Sequence, residues 1–277
     1  MPSLTRLLVL LGGLLLGITA WAGPARAFSI GVAPHSSARL IIGMYQPLRQ
    51  HLERTLGQPV EIVTAPDFTE FARRAMQGRF DLVITTGHQA RLLQTDAGYL
   101  PLLTYQAEFR AVALVPRDSP VKTHADLDGA TVFGLSPASL VTLWGEHWLL
   151  RNGIRDTSMR YVSAADSIAQ LLLKGEGKLA FTSLANYQNL PPGIQSQLLI
   201  FDESLSMAGR VYLLNQRHGN RREDIEKALW RFAETPEAAE YFAQHKLKGY
   251  RRLAHRELNE MEPYANEVRK QLKLPSR

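Results

Sequence analysis

The chain has 277 residues, with 32 Lys and Arg against 26 Asp and Glu, a net charge of +6 and no cysteine. Without cysteine it has no disulfide, no thiolate metal site, no cysteine nucleophile and no lipidated N-terminal cysteine. So mild a basic surplus, without a basic helix interleaved with aromatics, excludes a nucleic-acid binder.

Arg6 precedes an unbroken apolar run, Leu7 to Ile18, and Ala25-Arg26-Ala27 places small residues two apart. This pattern predicts a secretory signal peptide over residues 1–27, cleaved after Ala27. The run is shorter than the roughly 20 apolar residues of a membrane helix. The expected product is an exported, soluble, periplasmic protein of 250 residues, not a lipoprotein; an uncleaved N-terminal anchor is the alternative. The leader removes Arg6 and Arg26 and no acid, leaving a net charge of +4. The remaining length suits two medium lobes or one large domain.

The mature chain opens with Phe28 to Ala33, a buried strand ended by Pro34. Leu40, Met44, Leu48, Leu52 and Leu56 recur every four residues, predicting one helix that Gly57 ends and Pro47 kinks. Val60–Val63 is a strand, and Asp67 caps a helix with Phe68, Phe71, Ala72 and Met76 on its buried side. Asp81–Ile84 is a third strand, followed by a helix over His88–Gln94. Leu102–Tyr105 and Ala111–Val115 are strands that carry the chain between lobes. This order predicts a mostly parallel sheet covered on both faces.

A second set follows. Asp126 to Gly129 is a capped turn and Thr131–Leu135 a strand. Ser136 opens a helix through Arg151, with Pro137 at an early helical position. Arg160–Val162 is a strand, Ala164–Leu173 a helix and Leu179–Phe181 a strand. Leu198–Phe201 and Val211–Leu214 return the chain to the first lobe, which helices over Arg222–Ala233, Pro236–Gln244 and His255–Leu272 close.

Open α/β sheets bind ligands beyond the carboxyl ends of their strands. Three such ends are rich in small polar groups: Pro34-His35-Ser36-Ser37, Thr85-Thr86-Gly87-His88 and Ser136-Pro137-Ala138-Ser139. Each precedes a predicted helix, whose free N–H groups suit an anion, although Ser and Thr at these positions also serve as plain caps. His147 is expected to be structural, beside a packed Trp144 and Trp148. Lys246, Lys248, Arg251 and Arg252 are expected on a solvated helix face. No G-x-S-x-G, H-E-x-x-H or Walker loop is present, so no catalytic residue, cofactor or metal is expected.

The ordered segments Phe28 to Pro34, Tyr45-Gln46-Pro47-Leu48, Gly78 to Val83, Arg117 to Val121 and Asp126 to Gly129 resemble the periplasmic phosphonate-, phosphite- and phosphate-binding proteins of ABC importers. The resemblance covers residues 28–183. It implies an α/β fold of two Rossmann-like lobes joined by a double-crossing hinge, a type II periplasmic binding protein. Lobe I would comprise 28–106 and 209–277, and lobe II 107–208. A monomer is expected, clamping a ligand between lobes and docking to a permease. The family's Ser-Thr-Ser run corresponds here to Ser139-Leu140-Val141. A family histidine falls at Ala165 beside Asp166, an acidic residue at Lys178 and an aromatic at Thr85. These departures remove donors for a phosphonate head group, so the ligand class widens to a small oxyanion or polar organic anion. The expected contacts are His35, Ser36, Thr85, Thr86, His88, Ser136 and Ser139, with Tyr45 as a wall and Asp166 receiving any donor on the ligand. Two alternatives remain open at this level: a sensory subunit reporting to a sensor kinase ectodomain, and a periplasmic enzyme on the same scaffold.

Overall fold

The computed structural model describes residues 26–162 and 165–275, without the side chains of Ala165 and Asp166. The expected leader, apart from Arg26 and Ala27, lies outside the described residues. The strands are β1 (Phe28–Val32), β2 (Val60–Val63), β3 (Leu82–Thr86), β4 (Leu100–Tyr105), β5 (Ala111–Pro116), β6 (Thr131–Gly134), β7 (Ser158–Tyr161), β8 (Leu179–Ser183), β9 (Leu198–Glu203), β10 (Arg210–Leu214) and β11 (Tyr250–Arg251). The helices are α1 (Ala38–Met44), α2 (Gln46–Leu56), α3 (Phe68–Met76), α4 (Gly87–Asp96), α5 (Leu140–Arg151), α6 (Ala165–Leu173), α7 (Leu184–Gln188), α8 (Pro192–Gln195), α9 (Arg222–Ala233), α10 (Pro236–Gln244) and α11 (Glu262–Gln271).

Two sheets divide the strands, in the orders β11-β4-β10-β3-β1-β2 and β7-β6-β8-β5-β9. Each is mixed rather than mostly parallel. β1 pairs in parallel with β2 and β3, while β10 runs antiparallel to β3 and β4. The second sheet repeats this plan, with β6 parallel to β7 and β8, and β5 antiparallel to β8 and β9. The first strand after each crossing, β5 and then β10, runs antiparallel to both of its neighbours. β9 lies in the second sheet and β10 in the first, so the return is made between these two strands. The two crossings run side by side. Phe109 and Met207 form an antiparallel bridge, and the Ser204 hydroxyl accepts from the Ala111 N–H at 2.9 Å.

Both faces of the first sheet are buried. Leu82 and Ile84 point into one core, with Tyr45, Leu48, Leu52, Leu229 and Phe232. Val83 points into the other, with Phe71, Leu92, Leu93 and Val268. This second core also takes in Ala138, Leu140 and Leu143, so the start of α5 packs across the seam between the sheets.

The single kinked helix predicted over Leu40–Leu56 is two helices meeting at Tyr45. Pro47 sits in the first turn of α2, where it costs no hydrogen bond. Leu40 is 63% exposed; the buried positions are Ile41, Tyr45, Leu48 and Leu52. Pro137 lies in the loop before α5, whose cap is Ser139. The predicted helix over His255–Leu272 is a 3-10 turn, Glu257–Met261, followed by α11. The basic group after α10 is a turn and β11, not a helix face: Lys246 and Lys248 have φ of 54° and 62°, and Arg251 pairs with Glu257 at 2.7 Å. Trp144 and Trp148 pack with ring centroids 6.3 Å apart, and His147 stacks on Tyr264 at 5.0 Å. Among the described residues no helix is long and apolar enough to cross a membrane.

Candidate functional site

The carboxyl ends of β1 and β3 form the rim of the first sheet, and β10 begins beside them. Across the antiparallel pair, Arg210 is opposite Thr86 and Val211 opposite Thr85. Directly opposed residues point to the same side of a sheet, and successive residues to opposite sides. Arg210 therefore shares the face of Ile84 and Tyr212, and Thr85 the other face. Thr85 is fully buried there and donates to Gln89 at 2.9 Å, while Gln89 donates to the Phe68 carbonyl at 3.0 Å.

On the Arg210 face the structure gathers a polar group around a cation. Arg210 is partly buried and makes no ion pair with a described carboxylate; it lies beside Tyr45 and donates to Met44 Sδ at 3.9 Å. Burial opposes its charge, but the phenols of Tyr45, Tyr105 and Tyr241 outweigh this and hold its pKa above the ordinary value. The Tyr45 ring is completely buried and its hydroxyl has no hydrogen-bond partner among the described residues. His35 lies edge-on to Tyr45, with ring centroids 6.2 Å apart, and its Nε2 is buried without a partner. Burial and then Arg210 lower the His35 pKa well below 6.5. His245, after α10, is lowered by the same two causes in the same order.

A chain of phenols backs this group. Tyr241, Tyr105, Tyr212 and Tyr250 link hydroxyl to hydroxyl at 2.5, 2.6 and 2.9 Å, tying α10, β4, β10 and β11 together. Burial raises the pKa of Tyr105, Tyr212 and Tyr241 well above 10, so these hydroxyls keep their protons.

His88 works across the seam. Its Nε2 lies 3.0 Å from the Ala138 carbonyl and must donate to it; its Nδ1 then accepts from the Thr86 hydroxyl at 3.2 Å. The ring is fully buried, and burial lowers its pKa to about 4 despite the Ala138 bond. Both nitrogens are engaged: Nδ1 fixes the ring to β3 and Nε2 holds the loop Ser136–Ser139 against it. In that loop Ser136 Oγ accepts from the Ala138 N–H at 3.3 Å, and Ser139 caps α5 while donating to Thr142 at 2.8 Å. Ser36 is exposed on the rim beyond β1. The Asp166 side chain lies outside the described residues.

The structure thus brings His35, Ser36, Tyr45 and Thr86 to one rim, with Ser136 on the loop that His88 holds through the Ala138 carbonyl. Thr85, His88 and Ser139 use their polar atoms within the protein. Arg210 and His245 escaped the sequence reading. Arg210 looks like the polar edge of an apolar strand, and His245 merges with the basic residues after α10. The only signal for Arg210 was a charge directly abutting Val211–Leu214, at the point where the chain re-enters the first sheet. Two shallow hollows, of about 390 and 450 Å³, lie elsewhere: one at the opposite end of β1 and β3 beside Ser29 and Phe80, the other between His147 and Tyr264. No group of three or more His, Asp or Glu able to hold a metal ion occurs among the described residues.

Residues 30–258 match the family model for the periplasmic substrate-binding protein of phosphonate ABC transporters. No curated protein sequence matches the chain. Among solved structures, the protein XAC2383 of Xanthomonas citri bound to chloride aligns with a TM-score of 0.75 at 22% identity, covering 88% of this chain and 99% of its own. PhnD1 of Prochlorococcus marinus in complex with methylphosphonate aligns at 0.73 and 15% identity, covering 91% and 99%. A binding-protein component of a phosphonate ABC transporter from Pseudomonas aeruginosa aligns at 0.69 and 12%, covering 91% and 89%. At these identities the likeness to solved structures is one of fold, the two-lobed periplasmic binding protein. With the family model spanning both sheets, the chain belongs to the periplasmic phosphonate substrate-binding family of ABC transporters.

Proposed function

We propose that the protein is an exported solute carrier that clamps a small oxyanion, phosphonate- or phosphate-like, between lobe I (28–106 and 209–277) and lobe II (107–208), and delivers it to an ABC permease. The observation that carries this reading is Arg210. Among the described residues, a guanidinium without a carboxylate, next to an unpartnered buried hydroxyl and an unpartnered imidazole nitrogen, is an incomplete polar site, and a buried polar group costs free energy until it is paired. An oxyanion supplies the missing charge and acceptors, and a guanidinium binds such groups through two parallel N–H donors. That the fold neighbours were solved with chloride and with methylphosphonate agrees with an anion in the cleft.

In this reading Arg210 and Tyr45 donate to the anion, with Ser36 at the mouth and Ser136 approaching from lobe II. Thr86 and His88 hold the lobe II loop in place. Ligand contacts to both lobes favour the closed arrangement, because a ligand shifts an equilibrium only by its differential affinity for the two states.

The test is thermal unfolding of the protein against phosphate, phosphite, alkylphosphonates, sulfate, small carboxylates and amino acids. Ligand at 100 times its Kd adds about 2.7 kcal/mol, a rise of roughly 5–10 °C for a chain of this size. A shift with a phosphorus oxyanion that Arg210→Ala abolishes is the expected result. No shift from any oxyanion, or full binding by Arg210→Ala, overturns the reading. For delivery, a permease and ATPase encoded beside this chain are expected, and a sensor kinase in their place would count against it.

A further inference from the structure

The tautomer of His35 dictates what its free nitrogen needs. His35 Nδ1 lies 2.9 Å from the Ala33 carbonyl oxygen. A carbonyl oxygen only accepts, so Nδ1 carries the ring N–H. Burial, Arg210 and His245 hold the ring neutral at pH 7 against the raising effect of the Ala33 bond. A neutral imidazole with its proton on Nδ1 has a lone pair on Nε2. That atom is buried and has no partner among the described residues, so it needs a donor.

The groups facing it are Tyr45 at the junction of α1 and α2, Arg210 on β10 and His245 after α10. Tyr45 is not its donor, since the Tyr45 hydroxyl is also without a partner. Arg210 and Tyr45 offer hydrogens to an oxyanion. His35 Nε2, with the ring proton on Nδ1, can only accept, and a buried atom of that kind stays unpaired unless the occupant brings a hydrogen of its own.

Resting on the oxyanion reading above, we infer that His35 Nε2 accepts the acidic O–H of the ligand. The cleft then selects oxyanions that keep an O–H near neutral pH, the hydrogen phosphonates and hydrogen phosphate, over sulfate and sulfonates, which have none. Hydrogen methylphosphonate and methanesulfonate make the comparison clean. Both are tetrahedral, carry one methyl group and a single negative charge, and differ, apart from sulfur in place of phosphorus, in that one hydrogen. With a sulfonate, an oxygen lone pair would face the Nε2 lone pair in a buried place where neither reaches water. Sites built to hydrogen-bond a ligand hydrogen reject analogues lacking it by large factors, up to about 10⁴-fold or more.

The experiment is calorimetric titration of the protein with methylphosphonate and with methanesulfonate, near neutral pH and again at a pH above the second ionisation of the phosphonate. Methylphosphonate is expected to bind at least ~100-fold tighter than methanesulfonate, and to weaken as the pH rises and the O–H is lost. In His35→Ala the gap is expected to collapse through weaker methylphosphonate binding, and His35→Gln, whose amide oxygen accepts, to restore part of it. Near-equal binding of the two ligands, or methylphosphonate binding that strengthens as the dianion forms, overturns the role of His35 and leaves the oxyanion reading standing. Silence from both ligands and from phosphate overturns the oxyanion reading itself, and this inference with it. The pH series on the unsubstituted protein needs no variant, so it decides the matter even if His35→Ala fails to fold.

Discussion

Tyr45→Phe is expected to stabilise the ligand-free protein while weakening its ligand. Tyr45 is completely buried and its hydroxyl has no partner among the described residues. Such a hydroxyl costs roughly 1–3 kcal/mol relative to its state in water. Phenylalanine keeps the ring, including its contacts with His35 at 6.2 Å and Tyr241 at 6.1 Å, and removes only the oxygen. Taking the low end of that range, because Arg210 offsets part of the cost, the ligand-free protein gains about 1 kcal/mol. For a chain of this length that is a Tm rise of roughly 2–4 °C. The same change deletes a donor to a charged ligand, worth about 1.5–3 kcal/mol, or roughly 10- to 100-fold in Kd. Scanning calorimetry of both proteins, with and without methylphosphonate, reads the two effects together. The expected pattern is a higher Tm alone and a smaller increment with ligand. A lower ligand-free Tm refutes the reasoning, since it means the hydroxyl is already bonded and is not waiting for an anion.

Three further outcomes follow from groups outside the anion-contacting set. His88 has a folded pKa of about 4 against 6.5 for the free ring, so the unfolded chain takes up its proton first; stability is full above pH 6.5 and falls as the pH drops towards 4, by up to about 3 kcal/mol. Urea denaturation at several pH values checks this, and His88→Phe should flatten that part of the curve. Asp81 accepts from the Ser29 N–H at 2.8 Å, from His218 at 2.6 Å and from Arg217, and although burial opposes its charge these bonds lower its pKa to about 2. Asp81→Asn is expected to cost about 3 kcal/mol at pH 7 and to remove the stability that the parent loses as the pH falls from 3.8 towards 2; an unchanged urea midpoint contradicts this. A Cβ at Gly145 would come within 2.2 Å of the Phe181 ring, where α5 packs on β8, so Gly145→Ala should cost about 1–3 kcal/mol through overpacking, seen as a lower Tm with unchanged ligand affinity.

The two-sheet plan was legible because its signals are local. Buried strands such as Leu82–Ile84 and Ala111–Val115 are unbroken apolar runs, and the helices Arg222–Ala233 and Pro236–Gln244 were bounded correctly, the second by a proline in its first turn. The break at Tyr45 was not legible, because the four-residue stripe Leu40-Met44-Leu48-Leu52-Leu56 runs through it. The buried stripe actually passes through Ile41 and Tyr45, and only the backbone turn at Tyr45 moves it onto Leu48 and Leu52. Nor was strand direction legible: β10 lies beside β3 in a reversed sense that depends on where the chain crosses back. That reversal is what brings Arg210 to His35 and Tyr45. No spacing rule joins residues so distant in sequence, and none tells Thr86, on the Arg210 face, from Thr85 on the other.

Arg210 also changes the meaning of the hydroxyls missing from lobe II. Ser139-Leu140-Val141 stands where the resembling family carries Ser-Thr-Ser; Ser139 is occupied with Thr142, and Leu140 and Val141 are buried in apolar cores. Read alone, the loss leaves an anion without donors. In the proposed site the cation lies on the opposite lobe, and a hydrogen bond from a charged donor is about twice as strong as one between neutral groups. The charge of the ligand would then be met mainly from lobe I, leaving the lobe II loop, held by His88, to close over it. Loss of Arg210 should therefore abolish binding in a way that Ser136→Ala or Ser139→Ala does not, and equal losses from all three would return the anion to lobe II.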